Sequence, residues 1–385
     1  MRRDSVGINE HARRIEQVLQ HQLNNGVTHL LLATLASPLN LLKNYLKGAK
    51  QVMESGKQGK LPDSCLGGCL VEGTFMNPSC CGCHNPAYVY LPSWSLAQKL
   101  VDTGAVQILN VAPEIGDEAD ALDVVLKAKE AGVVVAVGHA KPHAVMLRKA
   151  VDAGCSYVIH LGNGPTGSSW KSFNDGGMME EALRNDYLTV SIIADFIHVH
   201  PCLLRDWIAR KEISRVIAIS DQAFATGLGK RKSFEVFGRL GKVSDDGSHL
   251  LAVDSESGES SKMETNRTSE VAGLFGSCIS MKQIFENVLN LMFHAMDGVY
   301  IRHHEGQCLS DAIRSAISLC STNPARLLKL DHHCGDVKVG LDATLLLVNV
   351  TERKVRPGDT WFGCMWETYL DVTLEKVIYH GKVVR

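Results

Sequence analysis

The chain is 385 residues long and carries a formal net charge of −2, from 40 Lys and Arg against 42 Asp and Glu. Hydrophobic residues at 45% and charged residues at 21% exclude global disorder. The near balance of charge excludes the net basic character that would favour nucleic acid or an anionic membrane surface.

The stretch Met1-Arg2-Arg3-Asp4-Ser5 runs into polar sequence with no apolar core, so no signal peptide is read there. No segment approaches the roughly 20 apolar residues that a membrane span requires. The 12 cysteines are read as reduced thiols of a cytoplasmic protein, because a chain this long needs no disulfides to hold its core. The first regular element is a helix over 9–23. Seven strands follow, over 28–34, 67–72, 106–112, 132–138, 156–161, 188–194 and 215–220. They are rich in apolar, often β-branched residues, as strands buried on both faces should be. Helical patterns over 38–55, 117–131, 141–153 and 201–211 alternate with them, which argues for a parallel sheet. Residues 229–268 are polar and rich in Gly and Ser and read as an insertion, a hairpin followed by a loop. Helices near 278–296 and 308–320 complete the helical ring. Beyond them, 343–349, 366–372 and 375–379 read as short strands of a small β layer. The division is a barrel over 1–335 and a β-sandwich-like portion over 336–385.

The polar residues at strand ends decide the architecture. Glu72, Glu114, His139, His160, His198 and Asp221 sit at or just after consecutive strands. A TIM-like (β/α)8 barrel gathers such residues on one face, whereas an open doubly wound sheet concentrates its site at one switch point. Seven strands leave that barrel without its opening strand. Ionisable groups at buried strand ends are costly unless they pair or bind metal. Hydrolysis by a metal needs carboxylate and imidazole ligands, an open position and a separate base. Glu72, His139, His160 and Asp221 supply these residue types on four strands.

The words around these residues resemble those of the N-acetylglucosamine-6-phosphate deacetylases, a family of the amidohydrolase superfamily. Val71-Glu72-Gly73-Thr74-Phe75 and Gly82-Cys83-His84-Asn85-Pro86 resemble the family's Glu-Gly-Pro-Phe and Gly-Ala-His pair. Asn110-Val111-Ala112-Pro113-Glu114 resembles Leu-Ala-Pro-Glu, and Gly138-His139-Ala140 resembles Gly-His-Ser. His160-Leu161-Gly162-Asn163, Ile193-Ala194-Asp195-Phe196-Ile197-His198 and Ser220-Asp221-Gln222-Ala223 continue the series in family order. Leu274-Phe275-Gly276-Ser277, Thr322-Asn323-Pro324-Ala325 and the stretch Gly335 to Ala343 complete it, so the matches span 26–348.

The resemblance implies removal of the acetyl group from N-acetylglucosamine 6-phosphate or N-acetylgalactosamine 6-phosphate. Glu72, His139 and His160 would hold one divalent metal, zinc first, with iron, cobalt or manganese as alternatives. Asp221 would serve as general base toward a metal-activated water and then as general acid toward the departing amine. His198 would hold or polarise the acetamide carbonyl, His84 would contact the sugar, and Asn163 with the Gly164 backbone would line the phosphate or sugar pocket. Glu114 would support the site by hydrogen bonds. The partners implied are a small-molecule amino sugar and a second copy of the chain in a homodimer, with no nucleic acid and no membrane.

Four departures from the family qualify the substrate. The family's first strand, with its His-x-His pair or Gln/Asn substitute, is absent together with the first half of the small β domain. A second metal on such a pair is therefore excluded for the chain as written. The phosphate-binding Arg of Arg-x-Pro-Gly is replaced by Asn174-Asp175-Gly176-Gly177-Met178, with Lys171 the nearest cation. Gly164-Pro165-Thr166-Gly167 opens a longer loop, and Phe196 stands beside His198 in place of a small glycine. An unphosphorylated or different amino sugar, another N-acyl or cyclic amide, and a non-catalytic barrel serving in binding or assembly all stay open. Cys65, Cys69, Cys80, Cys81 and Cys83 add a rival structural zinc site next to His84.

Overall fold

The computed structural model describes residues 6–163, 175–253, 271–296, 305–355 and 366–385. Helix α1 (Ile8–Asn24) opens the chain, as its pattern predicts. Seven strands then form one parallel sheet in sequential order: β1 (Leu30–Ala33), β2 (Leu66–Phe75), β3 (Val106–Val111), β4 (Val134–Val137), β5 (Cys155–Val158), β6 (Thr189–Ile193) and β7 (Val216–Ile219). All six pairings are parallel. Each predicted strand is present, shortened or extended at its ends. Among the described residues no further strand joins β1 to β7. The curled parallel sheet with outer helices is that of a TIM-like barrel.

The sheet's two faces explain why the strands read as continuous apolar runs. One face turns Ile108, Ala136, Tyr157, Ile159 and Ile217 into a barrel interior, against which Leu327 and Leu328 pack. The other packs Val71, Leu109, Val135, Val158 and Val190 against the helices. Helix α2 (Leu39–Lys57) buries Leu42, Leu46, Ala49 and Val52 at helical spacing. Each such Leu or Val contributes about 1.5–3 kcal/mol on burial. Further helices of the ring are α3 (Trp94–Val101), α4 (Glu118–Glu130), α5 (Ala144–Ala153), α6 (Met178–Arg184), α7 (Pro201–Lys211), α8 (Met281–Phe293) and α9 (Leu309–Ile317). Asp117 caps α4 by accepting from the backbone N–H groups of Ala119 and Asp120.

Two segments differ from expectation. The insertion is a four-stranded antiparallel sheet rather than a hairpin: β8 (Ser233–Val236), β9 (Arg239–Val243), β10 (His249–Val253) and β11 (Val271–Ser277), in the order β11-β10-β9-β8. It has a core of its own in Ala225, Val243, Leu250, Ala252 and Phe275. Its polar stretch over 254–270 lies outside the described residues. The predicted strands 366–372 and 375–379 are one continuous strand, β13 (Thr368–Tyr379), paired with β12 (Leu345–Lys354) and the short β14 (Lys382–Val383).

A buried polar stripe on α8 attaches β13 to the barrel. Asn290 Nδ2 donates to the carbonyl of Leu370, and its Oδ1 accepts from the Leu370 N–H. Glu286 Oε2 accepts from the Val372 N–H, and Lys282 Nζ donates to the Val372 carbonyl. Side chains of a helix thus take the place of a neighbouring strand. Asn287 reaches the other way, donating to the Ala194 carbonyl just beyond β6.

Candidate functional site

The second residue past the end of each of four strands is an ionisable side chain at the same end of the sheet. His139 follows β4 in this way, His160 follows β5, Asp195 follows β6 and Asp221 follows β7. His139, His160 and Asp221 have left-handed backbones, with φ of 48°, 32° and 48°. Non-glycine residues pay about 1–3 kcal/mol for such a conformation, and it persists where the surroundings enforce it. Here they do. The His160 N–H donates to Ser191 Oγ at 2.8 Å. The Asp221 carbonyl accepts from the Ser277 N–H at 2.9 Å, so the last strand of the insertion holds Asp221 in place.

Three imidazoles surround one carboxylate oxygen. Glu72 Oε1 lies 3.0 Å from His139 Nε2, 2.9 Å from His160 Nε2 and 3.8 Å from His84 Nε2. Burial acts to raise Glu72, but the imidazoles of His139, His160 and His84 outweigh it and hold its carboxyl well below the usual range. Burial pushes His139 down, and with His160 and His84 it outweighs the upward pull of Glu72. For His160 burial acts downward, yet Glu72 outweighs it and holds the imidazole above its ordinary value. Asp221 is raised by burial and by the Glu72 charge. Its carboxylate accepts no side-chain hydrogen bond among the described residues.

Hydrogen-bond partners separate the roles of the imidazoles. His139 Nδ1 faces the Cys80 carbonyl oxygen at 2.8 Å. A carbonyl only accepts, so Nδ1 carries the proton and the neutral ring turns a bare Nε2 lone pair toward the Glu72 carboxylate. Two acceptors at 3.0 Å repel unless a cation lies between them, and ligand atoms around a tetrahedral zinc are roughly 3.3 Å apart. The residues present therefore fit a divalent metal. His84 is the opposite case. Its Nδ1 accepts from the Ala36 N–H at 3.1 Å, so its Nε2 carries the proton and is a donor. By mutual distance, Glu72, His84 and His139 also form a potential ligand group, with ligand atoms within 4.8 Å of one another. The proton on His84 Nε2 favours His160 as the third ligand instead.

Polar residues beneath the centre brace it. Asn110 is fully buried, and its Nδ2 donates to the carbonyls of Glu72 and Gly138, both at 3.1 Å. Only glycine fits at 138, where a Cβ would lie 2.0 Å from Ile159 Cγ1. Glu114 Oε1 accepts from Asn77 Nδ2 at 2.9 Å and from the Lys141 N–H at 2.7 Å, strapping the segments on either side of His139. Asp195 Oδ1 accepts from the N–H groups of Ile197 and His198, and its Oδ2 lies 2.6 Å from His198 Nδ1. The opposite atom, His198 Nε2, is buried without a partner. Asn110, Asp195 and the Cys80 carbonyl carried no assigned role in the sequence, although the first two stand inside matched words. A buried Asn or Asp at a strand end was the available signal.

Asn163 is the last described residue before Gly164, Lys171 and Asn174, which lie outside the described residues. The Asp175 carboxylate is not a bare charge in the pocket wall: Arg148 and Arg184 bind it at 2.7 and 3.0 Å. Phe196 has φ 64°, and its ring is buried in the main core against Trp366. Among the described residues no cysteine joins a metal-capable group, and none is disulfide-bonded. The cysteine-rich loop contributes its backbone, through the Cys80 carbonyl, rather than thiolates.

No protein-family model matches the chain. An N-acetylgalactosamine-6-phosphate deacetylase from Escherichia coli is 26% identical over 340 residues, covering 87% of this chain and 77% of that protein. An N-acetylglucosamine-6-phosphate deacetylase from Bacillus subtilis is 26% identical over 205 residues, with 53% of this chain and 50% of that protein covered. Among solved structures, the N-acetylglucosamine-6-phosphate deacetylase of Mycobacterium smegmatis superposes with a TM-score of 0.72 at 22% identity, over 98% of this chain and 84% of that one. The corresponding Thermotoga maritima structure gives 0.69 at 18% identity, with the same two coverages. Over most of its length, then, the chain is similar in sequence to N-acetylgalactosamine- and N-acetylglucosamine-6-phosphate deacetylases, the family that its motifs resemble, and it shares the fold of their solved structures.

Proposed function

We propose that this protein is a metal-dependent amidohydrolase that removes the acetyl group from an N-acetylated amino-sugar 6-phosphate. The observation that carries the reading is the bare Nε2 of His139 opposite Glu72, with His160, His198 and Asp221 in the same pocket. Glu72, His139 and His160 would hold one divalent cation. One carboxylate with two imidazoles suits zinc first, and iron, cobalt or manganese next. When bound, such a cation supplies Lewis acidity toward water and toward the acetamide carbonyl.

The chain's own residues supply the rest. Asp221, free of side-chain hydrogen bonds, takes the proton from the attacking water and returns it to the departing amine. His198, its Nδ1 held by Asp195, presents Nε2 to the acetamide. His84 donates Nε2–H to the sugar, and Asn163 contributes beyond it. Glu114 and Asn110 keep the ligand-bearing strand ends in register. Unbridged thiols suit a cytoplasmic protein, and a homodimer follows from the family likeness. The presence of ligands, base and carbonyl-facing imidazole in one pocket speaks against a binding-only barrel.

The test is metal content and acetate release for wild type and Asp221→Asn, with phosphorylated and free N-acetylhexosamines. About one metal per chain, with turnover lost in the variant and metal retained, supports the reading. A metal-bound wild type that releases acetate from no member of the panel refutes the substrate, and a chain that binds no metal refutes the mechanism.

A further inference from the structure

The proposed substrate carries a phosphate, and the family's Arg for it is missing, so a different cation is needed to receive it. Arg148 and Arg184 are committed to Asp175 and Glu181. Arg231 is paired with Asp245 at 3.2 Å. Arg239 differs. Among the described residues no carboxylate pairs with it, and its one contact is a long 3.4 Å approach of Nη2 to the Gly82 carbonyl.

The position of Arg239 is fixed by the insertion. β8 and β9 are joined by the two-residue turn Phe237-Gly238, with φ of 47° and 75°. Two positive φ values are the type I′ geometry that matches hairpin twist. This turn docks on the loop that carries His84: Asn85 Nδ2 donates to the Phe237 carbonyl at 2.7 Å, and the Phe237 ring meets Tyr88 edge-on at 6.2 Å. The residue after the turn is Arg239. Gly82, which it touches, lies directly over His139, since a Cβ at Gly82 would be 3.5 Å from His139 Cε1. One loop residue thus separates the guanidinium from a ligand imidazole. The surrounding hairpin is cationic, with Lys230, Arg231, Lys232, Arg239 and Lys242 against Glu235. Burial pushes the Cys83 thiol up, the Glu72 and Asp221 charges add to this, and the Arg239 charge opposes it, so Arg239 acts on the same loop as the two carboxylates.

We propose that Arg239, delivered by the insertion hairpin, receives the phosphate of the amino-sugar substrate. The inference rests on the function proposed above and names the residue that makes the site select a phosphorylated sugar. A guanidinium offers two parallel N–H donors to a phosphate, an arrangement that a lysine ammonium cannot reproduce.

Two measurements test it. The first is the ratio of kcat/KM for N-acetylglucosamine 6-phosphate over N-acetylglucosamine in wild type, Arg239→Gln, Arg239→Lys, Lys141→Gln and Arg231→Gln. The ratio should fall about tenfold or more in Arg239→Gln, through KM, and recover in part in Arg239→Lys. Arg231→Gln should keep the wild-type ratio. An Arg239→Gln ratio within about twofold of wild type overturns the proposal, as does a fall confined to Lys141→Gln. The second is calorimetric binding of glucosamine 6-phosphate against glucosamine. If wild type releases acetate from neither sugar, the proposed function fails, and binding alone decides the role of Arg239. A preference for the phosphorylated sugar that weakens about tenfold in Arg239→Gln upholds it; equal preferences in wild type and variant overturn it.

Discussion

Asp195 holds His198 by two hydrogen bonds, one from its backbone N–H and one at 2.6 Å from Nδ1, and accepts a third from the Ile197 N–H, which leaves Nε2 as the ring nitrogen able to meet a substrate. Asp195→Ala should release the ring while leaving Glu72, His139 and His160 in place. The expected outcome is a fall in kcat on the order of 10²-fold with metal content unchanged. Parallel loss of metal would show instead that Asp195 supports the whole strand-end array.

Asn110 binds the carbonyls of the two residues from which the metal-facing strand ends depart, Glu72 and Gly138. Removing it in Asn110→Ala leaves two buried carbonyls without that donor, at a cost of about 1–3 kcal/mol of stability. Metal affinity, measured by competition with a chelator, should weaken about 10- to 100-fold. Wild-type affinity in a destabilised variant would confine Asn110 to folding.

Lys211 is buried at the end of α7, and its ammonium donates to the Asn185 carbonyl. Burial pushes it down to about 8. Below that pH the folded state bears the cost of a buried charge. Between about 8 and the ordinary Lys value the unfolded chain holds more protons, so stability rises with pH. The urea midpoint of wild type relative to Lys211→Met should therefore increase from about pH 7 to about pH 9.5. A difference that stays flat or shrinks would contradict this.

Burial pushes the Cys65 thiol up to about 11 and those of Cys69, Cys155 and Cys320 to about 12, whereas Cys308 is exposed. Thiolate is the reactive form, so iodoacetamide at neutral pH should alkylate Cys308 well before those four. Mass spectrometry of the partly labelled protein reads the order directly. Early labelling of Cys69 would place it outside the barrel wall.

The sequence made the barrel legible because two-sided burial imposes continuous apolar strands, and because chemistry collects at their ends. Glu72, His139, His160 and Asp221 were readable for that reason. What stayed hidden depends on partners distant in the chain. The tautomer of His139 is set by a carbonyl 59 residues away, and that of His84 by a backbone N–H 48 residues away. The insertion looked like a hairpin because its second pair of strands is separated by a long polar stretch. β13 looked like two strands because the alternation of Leu370, Val372 and Leu374 breaks at Glu375-Lys376, where its pairing with β12 slips register between Leu347 and Val348.

The polar stripe on α8 has a consequence for colloidal behaviour. β14 pairs with β13 only at Ile378 and Tyr379, so the rest of that edge would otherwise present free N–H and C=O groups. Such an edge recruits strands from other molecules. Glu286 and Asn290 occupy those groups at Leu370 and Val372, and helical side chains cannot template a further strand. Replacing Asn290 with Leu would keep the helix and its apolar contacts yet uncover the edge. The damage would then register as concentration-dependent assembly of folded molecules, visible by light scattering well below the unfolding temperature.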